Sequence, residues 1–174
     1  MVKSIFLDRD GVINVPTIMD AKPYAPRRFD KFTFYEGIED LLSYLSAKDF
    51  LLIVVTNQPD IGNELVKLEE VEKMHNLLCE SLPVTEVMVC PHSQLDDCDC
   101  RKPKPGMIKT AIAKYNIDVN QSWLIGDRWS DILAGKLTGL QTIFIDRHYS
   151  ENLEQDIRPD HQIEELEQIY EIIS

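Results

Sequence analysis

The chain has 174 residues, enough for one domain with a substantial core, and its 44% hydrophobic and 28% charged residues are ordinary for a globular protein in water. Its formal net charge of −12 speaks against nucleic acid or an anionic membrane as partner, while a small anionic substrate needs only a local positive site. The N-terminal apolar run is too short for a signal peptide and LLIVV at 51–55 is too short to span a bilayer, so a cytoplasmic protein with reduced thiols is expected.

In chain order, residues 3–7 (KSIFL) read as a short buried strand ending in Asp. Residues 14–34 are rich in Pro and Arg and are expected to be an irregular surface loop near the site. Residues 37–48 space Ile38, Leu41, Leu42 and Leu45 for a helix. Residues 51–55 give a second buried strand. Leu68, Val71, Met74 and Leu78 mark another helix, with Cys79 expected in the core beside it, and 84–89 (VTEVMV) a third strand. Met107, Ile108, Ala111, Ile112 and Tyr115 form a helical stripe that stops at Asn116, a suitable C-cap. Residues 123–125 and 142–145 are two further strands around a helix from about Ser130, and 163–173 read as an amphipathic final helix. Strands alternating with helices imply an α/β fold, a Rossmann-like parallel sheet with helices on both faces.

In open sheets of this kind, ligands bind at the carboxyl ends of the strands. Three apolar runs here end in polar residues: IFL in Asp8-Arg9-Asp10-Gly11, LLIVV in Thr56-Asn57-Gln58, and WLI in Gly126-Asp127-Arg128-Trp129-Ser130-Asp131. Any one of these alone is also a common turn or cap. All three in order, each after a buried strand, predict one crevice, and carboxylates meeting there would repel unless a cation joined them. All-oxygen ligands suit Mg²⁺.

The stretch CPHSQLDDCDCRKPKPG, residues 90–106, holds three of the four cysteines. Cys90, His92, Cys98 and Cys100 supply three sulfurs and one nitrogen, a closed set for a structural Zn²⁺. Free buried thiols beside a surface histidine would be the alternative, but Asp96, Asp97 and Asp99 make the stretch too polar for core. Arg101 and Lys102 begin directly after the last ligand, so the metal would fix their backbone, and Pro103 and Pro105 stiffen the run.

The ordered motifs DRDGV, VVTNQ, RKPKPG and GDRWSD resemble those of the haloacid dehalogenase superfamily of phosphohydrolases, from Ile5 to about Asp146. The Cys-Pro-His…Cys-Asp-Cys-Arg-Lys-Pro pattern is similar to that of its small, capless, zinc-loop group, which includes phosphatases of heptose bisphosphate and of histidinol phosphate. The resemblance implies one phosphatase domain over 1–174. It also implies that Asp8 is the nucleophile, that Asp10 is general acid and then base, and that Thr56 and Asn57 hold the transferring phosphoryl group. Lys102 would neutralise that group. Mg²⁺ would be bound by Asp8, Asp127, Asp131 and the main-chain carbonyl of Asp10. Arg101, Lys104 and Arg128 are candidates to meet a second anionic group, as are Arg27 and Arg28, for which solvated surface is an equal alternative. The implied substrate is a small phosphorylated metabolite, with heptose bisphosphate leading and histidinol phosphate as the alternative, acted on by a monomer. Residues 59–63 (PDIGN) depart from the Ala-Arg-Gly segment usual in heptose-bisphosphate phosphatases, and a zinc-stabilised binding module on the same fold remains the non-enzymatic alternative.

Overall fold

A computed structural model describes residues 1–149 and 156–174. Its elements in order are β1 (Ser4–Leu7), β2 (Thr17–Met19), β3 (Lys22–Tyr24), α1 (Ile38–Ala47), β4 (Leu51–Asn57), α2 (Pro59–Gly62), α3 (Leu68–Ser81), β5 (Glu86–Cys90), α4 (Gly106–Tyr115), β6 (Trp123–Gly126), α5 (Trp129–Lys136), β7 (Gln141–Ile145), β8 (His161–Ile163) and α6 (Ile169–Ile172). Six strands form one sheet in the order β5-β4-β1-β6-β7-β8, and every pairing is parallel.

The short strands are apolar throughout because both faces of the sheet are covered. Side chains alternate between the two cores, as the two-residue period of a strand requires. Ile5, Leu7, Leu52 and Val54 point to the side of α1 and α3, where they meet Leu41, Leu45, Met74 and Leu78. Phe6, Ile53, Val55 and Leu124 point to the side of α4 and α5, against Ile108, Ala111 and Ala134. The chain winds outward from β1 to β4 and β5, then returns past β1 to β6, β7 and β8. The reversal leaves a crevice above the carboxyl ends of β1, β4 and β6, where a doubly wound sheet binds its ligand. Asn116 ends α4 in the left-handed region at φ 53°, as its place after the apolar stripe predicts.

Three expectations are corrected. Residues 163–173 do not form one helix. Ile163 pairs with Ile145 at the sheet edge, and the Gln168 side chain accepts from the main-chain N–H of Glu164 and Glu165 at 2.9 and 3.0 Å, so helical backbone starts only after that cap. Ile163, Leu166, Ile169 and Ile173 are all buried, so their spacing records a core-facing edge rather than a continuous helix. Residues 14–34 are not irregular throughout, since β2 and β3 pair as an antiparallel hairpin with Thr17 opposite Tyr24. Its two-residue tip, Asp20 and Ala21, takes φ of 51° and 57°, the left-handed pair of a tight hairpin turn without the usual glycine. Cys79 is exposed on α3, not in the core. Among the described residues no helix is long and apolar enough to cross a membrane.

Candidate active site

The carboxyl ends of β1 and β6 deliver Asp8 and Asp127, and the first turn of α5 adds Asp131. One oxygen from each lies within 4.8 Å of the others. Two glycines permit this crowding. A Cβ on Gly11 would sit 1.7 Å from Asp127 Oδ2, and Gly11 also takes φ +96°. A Cβ on Gly126 would lie 2.3 Å from the Cβ of Asp131.

Three buried acids face one buried cation. Lys102 Nζ donates to Asp8 Oδ1 at 2.9 Å and to the main-chain oxygen of Val55 at 2.6 Å, and it pairs with Asp131 Oδ1 at 2.6 Å. Burial opposes its charge, but Asp131 and Asp8 outweigh burial and hold the ammonium above its ordinary pKa. Burial, then the charge of Asp131, pushes Asp8 up to about 6 against the pull of Lys102. Burial, then Asp8 and Asp131, raises Asp127 well above the ordinary carboxylate range. The second oxygen of Asp131 accepts from the Arg128 N–H at 3.1 Å, so both its oxygens are engaged. Asp127 differs. The Tyr149 hydroxyl stands beside it but outside hydrogen-bond geometry, so neither buried oxygen of Asp127 has a donor among the described residues. Buried carboxylate oxygens without donors are costly. They fit a hard divalent cation, for which Asp8, Asp127 and the nearby main chain supply only oxygen; Asp131, also expected as a ligand, lies within the same group but gives its oxygens to Lys102 and the Arg128 N–H.

Asp10 is held from three sides. Arg9 Nη2 reaches Oδ1 and Oδ2 at 3.0 and 2.9 Å, Asn14 Nδ2 donates at 2.9 Å, and Gln58 Nε2 donates at 2.8 Å. Asp10 still lines the cavity above the sheet, which has a volume of about 460 Å³ and also exposes Asp8, Asn57, Lys102 and Asp131.

The remaining expected residues divide. Arg101 and Arg128 line the cavity, and Arg101 presents a buried Nη1 with no acceptor among the described residues. Lys104 points away and pairs with Asp97 at 2.5 Å. Arg27 is engaged by Asp60 at 2.6 Å and Arg28 by Asp30 at 2.9 Å, and neither lines this cavity. Thr56 and Asn57 lie within β4 rather than past it, because pairing with β5 runs to Asn57 opposite Cys90. The Thr56 hydroxyl accepts from Gln58 at 2.9 Å. Asn57 turns its amide onto the backbone of Lys102, accepting from N–H and donating to C=O at 3.0 Å each.

Several site residues are not evident from the sequence. Residues 14–34, expected near the site, do supply one wall, but the sequence does not single out Lys22, Pro23 and Tyr24 of the hairpin as the residues that form it. Arg9 and Gln58 are within the recognised motifs, but their work behind Asp10 has no spacing signature. His75 meets Arg9 at 2.9 Å from a helix 66 residues away.

The four donors of the Cys/His cluster come together, as their number and kind predict. His92 Nδ1 and Cys90 Sγ lie 3.1 Å from Cys100 Sγ, and Cys98 Sγ lies 3.6 Å from Cys90 Sγ. All four ligand atoms fall within 4.8 Å of one another. A tetrahedron of bonds near 2.3 Å has edges of about 3.7 Å, so the donors fit one zinc ion with little movement.

The parallel sheet, its crevice and the order of the acidic motifs define a haloacid dehalogenase-like phosphatase, and residues 99–169 match the family described as HAD-hydrolase-like. Over 147 residues the chain is 40% identical to the D-glycero-β-D-manno-heptose-1,7-bisphosphate 7-phosphatase of Pasteurella multocida, covering 78% of this chain and 77% of that one. The D-glycero-α-D-manno-heptose-1,7-bisphosphate 7-phosphatase of Campylobacter jejuni is 34% identical over 148 residues, covering 82% of this chain and 81% of that one. The crystal structure of D,D-heptose 1,7-bisphosphate phosphatase from B. bronchiseptica, complexed with magnesium and phosphate, superposes with a TM-score of 0.78 at 27% identity, covering 98% of this chain and 99% of that one. The chain therefore belongs to the heptose-bisphosphate phosphatase group of that superfamily and is an enzyme rather than a binding module.

Proposed function

We propose that this chain hydrolyses the 7-phosphate of a D-glycero-D-manno-heptose 1,7-bisphosphate through an aspartyl-phosphate on Asp8. The observation that carries the chemistry is the buried trio Asp8, Asp127 and Lys102 under an open cavity, with Asp127 left without a donor among the described residues. Asp8 attacks phosphorus, and the bond to the sugar oxygen breaks. Asp10 gives its proton to that leaving oxygen, then takes one from the water that attacks the phosphoenzyme. Lys102 keeps its charge through both steps and stabilises the negative charge that spreads over the phosphoryl oxygens. Asn57 serves by holding the Lys102 backbone. Asp8, Asp127 and the Asp10 carbonyl would hold Mg²⁺, with Asp131 anchoring Lys102 beside it; the bound ion would add further charge neutralisation at the phosphoryl group. Lys22, Arg101 and Arg128 on the cavity wall are placed to meet the substrate's other phosphate. Cys90, His92, Cys98 and Cys100 would hold a structural Zn²⁺ that fixes Arg101 and Lys102.

Phosphate release with MgCl₂ on a panel tests this reading. The panel comprises both anomers of the heptose bisphosphate, histidinol phosphate and simple sugar monophosphates. The expected result is one phosphate released per heptose bisphosphate with the 1-phosphate retained, and no turnover in Asp8→Asn. A higher kcat/KM on histidinol phosphate would overturn the substrate, and an active Asp8→Asn the nucleophile.

A further inference from the structure

The Arg9 side chain is fully buried although it carries a permanent charge. Such a charge is tolerated only when paired and hydrogen-bonded. The face of Phe32 lies 5.6 Å from the guanidinium, one nitrogen grips both oxygens of Asp10, and the other lies 2.9 Å from His75 Nε2. A guanidinium has no acceptor, so His75 must be the acceptor, with its proton on Nδ1. Burial, then the charge of Arg9, pushes His75 down to about 4, in keeping with a neutral ring that can accept. His75 stands on α3, behind the cavity and not in its lining, so it touches no reacting atom.

We infer that His75 is a positioning residue, which fixes the rotation of the Arg9 guanidinium and through it the aim of the Asp10 carboxyl at the leaving oxygen. Arg9 has several rotatable bonds, and an interaction through one end would leave the other free to swing. His75 supplies the second fixed point. Asn14 and Gln58 hold Asp10 from other directions, so the residue that sets the Arg9 side of the cradle is on a different element from the rest of the motif. A proton donor misplaced by a fraction of an ångström loses much of its effect, because the transfer is geometric before it is anything else.

This inference rests on Asp10 as acid and base, and the test separates the two. His75→Gln places an amide oxygen near the position of Nε2, whereas the shorter His75→Asn stops near Nδ1 and cannot reach Arg9. Rapid-quench formation of the phosphoenzyme is measured with the sugar phosphate, whose leaving oxygen needs a proton, and with p-nitrophenyl phosphate, whose leaving group does not. General acids contribute 10²–10⁴-fold, so His75→Asn should slow formation from the sugar phosphate by about ten-fold or more. Formation from p-nitrophenyl phosphate and the KM of both esters should remain near wild type, and His75→Gln should restore most of the loss. Equal slowing on both esters, or wild-type rates in His75→Asn, overturns the positioning role. Asp10→Asn is the control. If it discriminates between the esters and His75→Asn does not, the positioning inference alone falls; if Asp10→Asn does not discriminate, the acid–base reading falls and this inference with it.

Discussion

Asn57 illustrates how a motif residue can act at one remove. Its amide makes two bonds of 3.0 Å to the main chain of Lys102, while the ammonium of that lysine is aimed at Asp8. The two bonds bridge 45 residues of sequence, from β4 to the end of the zinc loop. Each is worth about 1 kcal/mol, and their loss leaves an unpaired N–H and C=O beside a buried charge. Asn57→Ala should therefore lower kcat/KM by about ten-fold or more, equivalent to 1.4 kcal/mol of transition-state stabilisation. The inhibition constant for inorganic phosphate should rise with it, because a displaced ammonium binds product less well. Steady-state kinetics with phosphate as inhibitor read both quantities. Unchanged phosphate inhibition in Asn57→Ala would show that Lys102 keeps its place without this clamp.

At the scale of elements, the loop that carries the Cys/His cluster leads directly into Lys102, so the proposed zinc site and the proposed catalytic lysine share one stretch of backbone. Asp99 O accepts from the Gly106 N–H at 3.0 Å, closing the turn that carries residues 101–105 into α4. The loop is also packed on its other side, where a Cβ on Gly62 of α2 would come within 2.7 Å of the Pro91 oxygen. Cys98→Ser should lose zinc, because a hydroxyl is a poor ligand for this ion. The sheet should stay folded, since α4 packs through Met107, Ile108 and Ala111. The expected result is about one zinc per chain in wild type, little in the variant, and a kcat/KM reduced by about ten-fold or more through Arg101 and Lys102. Elemental analysis paired with kinetics checks this, and full activity in a zinc-free variant would separate the loop from catalysis. The Cys/His cluster was legible in the sequence because four ligands of closed-site chemistry fall in one short polar stretch, and so were the strands that carry Asp8 and Asp127, because buried parallel strands are apolar without interruption. The β2–β3 hairpin was not legible, since Asp20-Ala21 lacks the glycine of a usual tight turn and Pro23 discourages a strand. The final helix misled for the opposite reason: Ile163, Leu166, Ile169 and Ile173 keep helical spacing while only the last part coils. Contacts such as Arg9 to His75 depend on how α3 lies across the sheet, which no local pattern encodes.

For the whole molecule, the most costly part of a net charge of −12 is gathered under the candidate site. Asp8, Asp127 and Asp131 are buried together against the single ammonium of Lys102, and Asp127 has no donor among the described residues. The folded pKa of Asp127 is raised, so this group opposes folding above the ordinary carboxylate pKa, and the opposition grows as pH rises toward the folded value. A cation that binds only the folded state reverses the cost by mass action, by about 2.7 kcal/mol at a concentration 100 times its Kd. For a chain of this length each kcal/mol corresponds to roughly 2–4 °C in Tm. MgCl₂ should thus raise the Tm of the wild type by several degrees. Asp127→Asn should melt higher than wild type without magnesium, respond little to its addition, and lack activity. Magnesium must be removed by dialysis rather than by a strong chelator, which would also compete for the zinc proposed at Cys90, His92, Cys98 and Cys100 and confound the melt. Melting curves of both proteins across a magnesium titration provide the measurement. A magnesium-free Asp127→Asn that melts below wild type, or one that keeps the wild-type response, would mean that stability is not being given up at Asp127 for metal binding.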